Sequence, residues 1–136
     1  MSGSGRRLEH ISVLIIDDND TTRAMLRSIL RAEGINVIGE ARDGDSGLAL
    51  VRKQAPTVVC LDVMMPNVGG LDILPQIRTE FPDVRILMVT GATDRDTVQA
   101  AIQGGACGYL VKPFNGAQVV AAIEQASLRK PLRGSA

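Results

Sequence analysis

Four short apolar runs of this chain each end on a polar side chain that can take part in chemistry. The runs VLII, VVCL, ILMV and YLV lead into Asp17 and Asp18, Asp62, Thr90 and Lys112, respectively. Runs of Val, Ile and Leu without polar alternation are typical of strands that are buried on both faces of a parallel sheet. Because the carboxyl ends of parallel strands meet at one edge, where open α/β folds bind ligands, we expect these five side chains to converge.

The rest of the chain continues this alternation of strands and helices. Apolar runs predict five strands, at residues 11–17, 36–41, 57–62, 84–90 and 107–112. Capping residues and apolar positions at helical spacing predict five helices, at residues 20–34, 43–54, 71–81, 94–103 and 115–126. Within the third helix, Pro75 lacks a backbone donor and therefore predicts a kink or a late start.

Five strands that alternate with helices at short spacing require parallel βαβ units with right-handed crossovers. We therefore expect an α/β fold, a doubly wound three-layer sandwich around a five-stranded parallel sheet. The expected strand order is 2-1-3-4-5, the flavodoxin-like (βα)5 arrangement. In this order strands 1 and 3 are neighbours, so Asp17, Asp18 and Asp62 come close together.

Length and charge exclude several classes of partner. The 136 residues are enough for one domain of common size. Fifteen Lys and Arg balance fifteen Asp and Glu, which removes the electrostatic reason to expect nucleic acid or an anionic membrane as a partner. The longest apolar stretches are about six residues, whereas a membrane span needs ~20. Two aspartates also interrupt the region that a signal peptide would keep apolar, so we expect a cytoplasmic protein.

Cysteine and histidine offer little chemistry. Cys60 and Cys107 have no metal-binding or redox spacing, and both lie in or beside apolar runs, which favours buried, reduced thiols. The single histidine, His10, precedes the first strand in a polar segment. We interpret it as a solvated residue rather than a ligand or catalytic base.

Three carboxylates at one sheet edge must share protons or be neutralised by a cation. Oxygen ligands favour a hard ion, and Mg²⁺ fits best because it keeps waters and completes its shell with a phosphate oxygen. This favours phosphoryl chemistry, in which Lys112 binds one phosphoryl oxygen and Thr90 donates a hydrogen bond to another. One aspartate is then free to act as the nucleophile and to form an acyl phosphate.

The segments IIDDNDTTR, LDVMMPNVGGLDIL, MVTGA and GYLVKPF resemble the receiver domains of bacterial two-component response regulators, over residues 8–128. The resemblance implies that Asp62 accepts a phosphoryl group from a phosphohistidine on a sensor histidine kinase or a histidine phosphotransfer protein. It also implies Mg²⁺ or Mn²⁺ as the cofactor, bound directly by Asp18 and Asp62, through water by Asp17, and by the backbone carbonyl of Met64. Such a domain is no conventional enzyme, since it catalyses only its own phosphorylation and dephosphorylation.

The resemblance further implies a switch. When phosphorylation adds charge and strong acceptors, Thr90 swings toward the phosphoryl group and Tyr109 moves inward with it. Lys112 binds the phosphoryl group, and the Lys112–Pro113 peptide bond is expected to be cis. The face formed by helix 4, strand 5 and helix 5 is then remodelled and contacts a downstream protein. The sequence leaves open which protein that is, and whether phosphorylation also drives homodimerisation.

Two positions that tune the loss of the phosphoryl group in this family are apolar here. Met64 is two residues after the expected phosphoacceptor, and Ala92 is two residues after Thr90. Neither side chain can position an attacking water. We therefore expect a comparatively long-lived acyl phosphate.

The expected organisation is a leader at residues 1–8, a receiver domain at residues 9–128 and a basic tail at residues 129–136. A DNA-binding or catalytic output domain does not fit after residue 128. We therefore expect either a stand-alone receiver, as in chemotaxis or a phosphorelay, or a domain excised from a longer protein. The sequence does not separate these two cases.

The main alternative is a haloacid-dehalogenase-like phosphatase, whose DxDx[TV] signature is matched by Asp18, Asp20 and Thr22. In that family Asp18 would be the nucleophile. However, the family needs an acidic pair after its lysine, where this chain has only Glu124. It also leaves Asp62 without a role.

Two further alternatives are disfavoured. A flavin-binding protein of the same topology would need more aromatic residues than this chain has, and a hydroxyl-rich phosphate loop after strand 1. An inactive receiver that serves only as a scaffold would be expected to lack one of the five site residues, and all five are present.

Overall fold

The computed structural model describes residues 10–128, in which five strands alternate with five helices. The strands are β1 (Ser12–Ile16), β2 (Asn36–Ala41), β3 (Val58–Leu61), β4 (Arg85–Thr90) and β5 (Gly108–Val111). The helices are α1 (Asp20–Ala32), α2 (Gly44–Gln54), α3 (Gly70–Glu80), α4 (Arg95–Gln103) and α5 (Gly116–Leu128). The predicted leader at 1–8 and tail at 129–136 lie outside the described residues.

The strands form one parallel sheet in the order β2-β1-β3-β4-β5, which confirms the predicted order. β1 and β3 are adjacent, and Ile16 at the end of β1 pairs with Leu61 at the end of β3. The residues that follow these two, Asp17 and Asp62, therefore leave the sheet side by side.

The sheet lies between two helical layers because side chains alternate along each strand. Val13 and Ile15 of β1 belong to a core cluster with buried residues of α1 and α5. Leu14 and Ile16 belong to the cluster on the opposite face, with buried residues of α2, α3 and α4. Burial on both faces explains why the strands read as continuous apolar runs.

Polar caps fix where most of the helices begin. The side chains of Asn19, Asp43 and Asp94 accept hydrogen bonds from backbone N–H groups in the first turns of α1, α2 and α4. At α5, the N–H of Gln118 donates to Oδ1 of Asn115, as expected for the predicted cap. α5 itself continues through Leu128, two residues beyond its predicted end.

α3 differs from its prediction at Pro75. The helix begins at Gly70 and continues through Pro75, so the alternative of a late start is wrong. Pro75 lies on the exposed side of α3, where water can satisfy the carbonyl group that its missing N–H leaves free. On the inner side, Ile73, Leu74 and Ile77 are buried and hold the helix against the sheet.

The remaining expectations about cysteine and histidine are confirmed. Cys60 and Cys107 are buried free thiols, and burial raises the pKa of the Cys60 thiol to about 12. His10 is exposed. Across residues 10–128, the helices are too short or too polar to cross a membrane.

Candidate functional site

Three carboxylates meet at the carboxyl edge of the sheet. Asp17 and Asp62 follow β1 and β3 and are almost fully buried, at 1% and 3% exposure, while Asp18 is exposed. One ligand oxygen from each residue lies within 4.8 Å of those of the other two. The structure therefore brings together the three acidic residues that the strand pattern placed at this edge.

Asp17 and Asp62 are held in the same way by the backbone that follows them. Oδ1 of Asp17 accepts a hydrogen bond from the N–H of Asn19 at 2.9 Å, and Oδ1 of Asp62 accepts one from the N–H of Met64 at 3.2 Å. Each bond closes a local turn between an aspartate and the N–H two residues on. Both carboxylates are thereby oriented with Oδ2 directed toward the centre of the site.

Lys112, which follows β5, places its ammonium between these two oxygens. Its Nζ atom lies 2.9 Å from Oδ2 of Asp17 and 3.2 Å from Oδ2 of Asp62. Burial opposes the charge of the ammonium, but the close ion pairs with Asp17 and Asp62 raise the pKa of Lys112 above its usual value. The Lys112–Pro113 peptide bond is cis.

The buried position of Asp17 affects its protonation. Burial and the charge of Asp62 raise the pKa of Asp17, while Lys112 and the N–H of Asn19 act against that rise. Its Oδ2 is buried and ion-paired with Lys112, but no donor in the described part of the chain makes a well-aligned hydrogen bond to it. An oxygen in this state, beside two further carboxylates, fits a divalent cation or a water bound to one.

Thr90 and Tyr109 meet at the backbone of Ala92. Thr90 is fully buried at the end of β4, and its Oγ1 accepts a hydrogen bond from the N–H of Ala92 at 3.4 Å. The hydroxyl of Tyr109 donates to the carbonyl oxygen of Ala92 at 2.5 Å. The loop after β4 thus links a buried hydroxyl at the site to an aromatic side chain of β5.

The residues of the alternative signature lie differently. Asp20 begins α1, its side chain is 79% exposed, and it pairs with Arg23 rather than facing the site. The backbone N–H of Thr22 donates to Oδ1 of Asn19, which caps the helix. Asp20 and Thr22 are thus explained by the first turn of α1, and they add nothing to the acidic cluster.

Two residues near the site were missed at the level of sequence. Nη1 of Arg23 donates to the backbone carbonyl of Asp17 at 2.7 Å, and Arg23 in turn pairs with Glu40 of β2. An arginine in the first turn of the helix after paired aspartates is a signal that the sequence contained. The proximity of Glu40 to Arg23 could not be predicted before the pairing of β2 with β1 was known.

Comparison with known proteins decides the family. The family model described as response regulator receiver domain matches residues 13–124, which is most of the chain. The chain is a response regulator receiver domain. The haloacid-dehalogenase alternative is not supported, in agreement with the exposed position of Asp20.

Curated relatives of this receiver domain are regulatory proteins. It is 38% identical over 122 residues to the transcriptional regulatory protein LiaR of Bacillus subtilis, an alignment that covers 89% of this chain and 58% of LiaR. It is 40% identical over 114 residues to the response regulator UvrY of Escherichia coli, which covers 83% of this chain and 52% of UvrY. The receiver domain thus spans little more than half the length of these relatives.

Solved structures of receiver domains superpose closely on this one. The chemotaxis protein CheY4 of Vibrio cholerae is 31% identical with a TM-score of 0.80, covering 85% of this chain and 98% of CheY4. A chain in the CheX-CheY-BeF3-Mg complex of Borrelia burgdorferi is 25% identical with a TM-score of 0.87, covering 93% of this chain and all of that one. Both agree with the doubly wound sheet described above.

Proposed function

We propose that this receiver domain accepts a phosphoryl group on Asp62 from a phosphohistidine of a sensor histidine kinase or a histidine phosphotransfer protein. The observation that carries the proposal is the position of Asp62 Oδ2, which is buried beside Asp17 and 3.2 Å from the Lys112 ammonium. Oδ1 is occupied by the N–H of Met64. Among the described residues, Oδ2 accepts only from the ammonium of Lys112, which can pass to the phosphoryl group, so we assign the attack on phosphorus to Oδ2.

The acidic cluster suits Mg²⁺ or Mn²⁺, with Asp18 and Asp62 as direct ligands, Asp17 acting through water, and the carbonyl of Met64 as a further ligand. Bound there, the cation would supply charge neutralisation for the transferring phosphoryl group. The buried, poorly satisfied Oδ2 of Asp17 supports this assignment, because a cation would offset both the burial and the repulsion by Asp62 that raise the pKa of Asp17.

In the transfer, Oδ2 of Asp62 attacks phosphorus, the bond between phosphorus and the donor's imidazole nitrogen breaks, and the electron pair stays with the imidazole. Lys112 keeps its proton, and its ammonium exchanges its contacts with the carboxylates for a contact with a phosphoryl oxygen. The hydroxyl of Thr90 donates to another phosphoryl oxygen. The chain thereby catalyses its own phosphorylation, mainly by position and electrostatics.

Signalling then follows from the bonds at Ala92. When Thr90 turns toward the phosphoryl group, its contact with the N–H of Ala92 breaks. The backbone of Ala92, whose carbonyl in the following peptide unit accepts the hydrogen bond of Tyr109, is then free to move. This couples the site to the face formed by α4, β5 and α5. We infer that this face contacts the downstream protein, and that phosphorylation-dependent homodimerisation, where it occurs, uses the same face.

The test is phosphorylation of the full chain by phosphoramidate, a small phosphoryl donor, with and without Mg²⁺, read by intact mass and by peptide mapping of the modified aspartate. We expect a single Mg²⁺-dependent phosphoryl group on Asp62. Asp62→Asn should abolish phosphorylation, and Asp18→Asn should reduce the extent to which Mg²⁺ stimulates it. Asp45 is an exposed carboxylate of α2, so Asp45→Asn should leave phosphorylation unchanged. A phosphoryl group on Asp18 would overturn the proposal.

A further inference from the structure

The peptide unit between Asp17 and Asp18 is held by a side chain outside the acidic cluster. Nη1 of Arg23 donates to the carbonyl oxygen of Asp17 at 2.7 Å, and the Arg23 side chain is only 16% exposed. The carbonyl of Asp17 and the nitrogen of Asp18 belong to one planar peptide unit. A bond to this oxygen therefore also fixes the direction in which the chain enters Asp18.

Arg23 is itself fixed from the neighbouring strand. Its Nε lies 3.5 Å from Oε1 of Glu40, and Nη1 of Arg27 donates to Oε2 of the same carboxylate at 2.5 Å. Glu40 is next to Ala41, whose carbonyl accepts the N–H of Asp17 at 3.0 Å. The end of β2 thus holds Asp17 twice, once through its backbone and once through the Glu40–Arg23 pair.

A second ion pair between an arginine and a glutamate, which lies away from the acidic cluster, provides a comparison. Arg52 of α2 and Glu80 of α3 form a bidentate contact at 2.8 and 2.6 Å, and both side chains are well exposed. That pair joins two helices and touches no residue of the site. The Arg23–Glu40 pair is less exposed, and the guanidinium that it orients reaches the backbone of the acidic cluster.

We propose that Arg23, oriented by Glu40, is a positioning residue for the metal: it holds the Asp17–Asp18 peptide unit so that the exposed Asp18 carboxylate is aimed into the acidic cluster. This inference rests on the proposed function, since it concerns the cation that the phosphoryl transfer needs. Asp18 has no other restraint that would serve this purpose, because its side chain is exposed and the described residues give it no hydrogen bond.

The sign of the charge effect separates positioning from simple electrostatics. Arg23 brings a positive charge to the backbone of the acidic cluster, so removing it should strengthen cation binding if charge alone mattered. Loss of positioning predicts weaker cation binding, because the Asp18 carboxylate would no longer be held toward the cluster and the cation would lose one of its ligands. Arg23→Met is therefore diagnostic, whereas Glu40→Gln is not, since lost charge and lost positioning both weaken binding there.

The experiment is calorimetric titration of the full chain with Mg²⁺ alone, together with the Mg²⁺ dependence of phosphorylation by phosphoramidate. For Arg23→Met we expect Mg²⁺ affinity to fall by about tenfold, the size of effect seen when a partner of a metal ligand is removed. The half-saturating Mg²⁺ concentration should rise, while the rate at saturating Mg²⁺ stays close to that of the unaltered chain. Arg52→Met is the matched control and should leave both quantities unchanged.

Arg23→Lys keeps the charge and provides a second variant if Arg23→Met does not fold. A lysine lacks the planar fork by which Arg23 reaches the Asp17 carbonyl and Glu40 from two different nitrogens, so it should hold the peptide unit less well. The Mg²⁺ affinity of Arg23→Lys should therefore fall to a value between those of the unaltered chain and Arg23→Met. Unchanged or tighter Mg²⁺ binding in either variant would overturn the inference, as would an equal loss in Arg52→Met. A chain that, unaltered, neither binds Mg²⁺ nor takes up a phosphoryl group would overturn the proposed function instead.

Discussion

Lys112 and Asp62 are 50 positions apart in the chain, yet Nζ of Lys112 lies 3.2 Å from Oδ2 of Asp62. The same ammonium is 2.9 Å from Oδ2 of Asp17. One cation from the end of β5 therefore compensates two buried carboxylates at the ends of β1 and β3. In the metal-free protein, this cation links the edge strand β5 to the centre of the sheet.

Replacing Lys112 by methionine should destabilise the metal-free protein. Removing one partner of a buried ion pair leaves an uncompensated charge, and because the Lys112 side chain is 24% exposed we expect a loss of about 2 kcal/mol in the free energy of unfolding, below the range for fully buried pairs. Urea denaturation in EDTA measures this. Saturating Mg²⁺ should recover part of the loss, since a bound cation replaces the missing charge.

Lys53 provides the control for that measurement, because it is an exposed lysine of α2 away from the carboxylates. Lys53→Met should leave the free energy of unfolding nearly unchanged in both conditions. If Lys112→Met were as stable in EDTA as the unaltered chain, the two buried carboxylates would not depend on the ammonium, and the electrostatic description of the site would be wrong.

The stability of the metal-free protein should also depend on pH through Asp17. Burial and the charge of Asp62 raise the pKa of Asp17 above its ordinary value of 3.8, so the folded protein holds this proton more tightly than the unfolded chain. The contribution of Asp17 to the free energy of unfolding therefore falls as the pH rises from 3.8 through the raised pKa. Above that pKa, the penalty of a buried, ionised carboxylate is fully present.

Asp17→Asn tests this dependence. In EDTA, the variant should be more stable than the unaltered chain at neutral pH, and the difference should shrink as the pH is lowered toward 3.8. Urea denaturation across this pH range gives both curves. A difference that does not vary with pH would show that Asp17 titrates normally.

The fold could be predicted from the sequence because each of its decisive features is local. The run VLII before Asp17 is apolar throughout since β1 is buried on both faces, and Asn19 and Asp94 cap their helices through hydrogen bonds that span three residues. The right-handed crossover rule then restricts the strand order. At Pro75 the expectation of a late start was wrong, because the buried face of α3 holds the helix together from Gly70 despite one missing donor.

The site was predictable only where it lies at strand ends. Asp17, Asp62, Thr90 and Lys112 each follow an apolar run, so topology alone brings them together. Glu40 belongs to the weaker strand β2, and its contact with Arg23 depends on side-chain positions that no periodicity encodes. The contact of Tyr109 with the backbone carbonyl of Ala92 likewise leaves no mark on the sequence.

The start of α3 should be intolerant of any side chain at Gly70. A Cβ atom there would lie 2.1 Å from the carbonyl oxygen of Asp62, which belongs to the residue that carries the proposed chemistry. Gly70→Ala should therefore displace the loop after β3, lower the free energy of unfolding by about 1–3 kcal/mol and slow phosphorylation by phosphoramidate. Urea denaturation and intact-mass kinetics measure the two effects.

Gly91 is the matched control because it is also a glycine beside a site residue, directly after Thr90. A Cβ atom at Gly91 would meet nothing within 4 Å. Gly91→Ala should therefore change stability and phosphorylation little. Equal effects of the two substitutions would mean that the close approach of Gly70 to Asp62 does not matter.

The lifetime of the phosphorylated protein should be set by the two apolar side chains beside the site. Met64 is 68% exposed at the loop that follows Asp62, and its thioether is too weak an acceptor to orient water for attack on phosphorus. Met64→Asn introduces an amide that can hold such a water, so dephosphorylation should become faster by several-fold. Met64→Leu, which stays apolar, should keep the original lifetime. The measurement is the decay of the phosphorylated mass after removal of phosphoramidate, and an unchanged lifetime in Met64→Asn would show that access of water at this position does not limit hydrolysis.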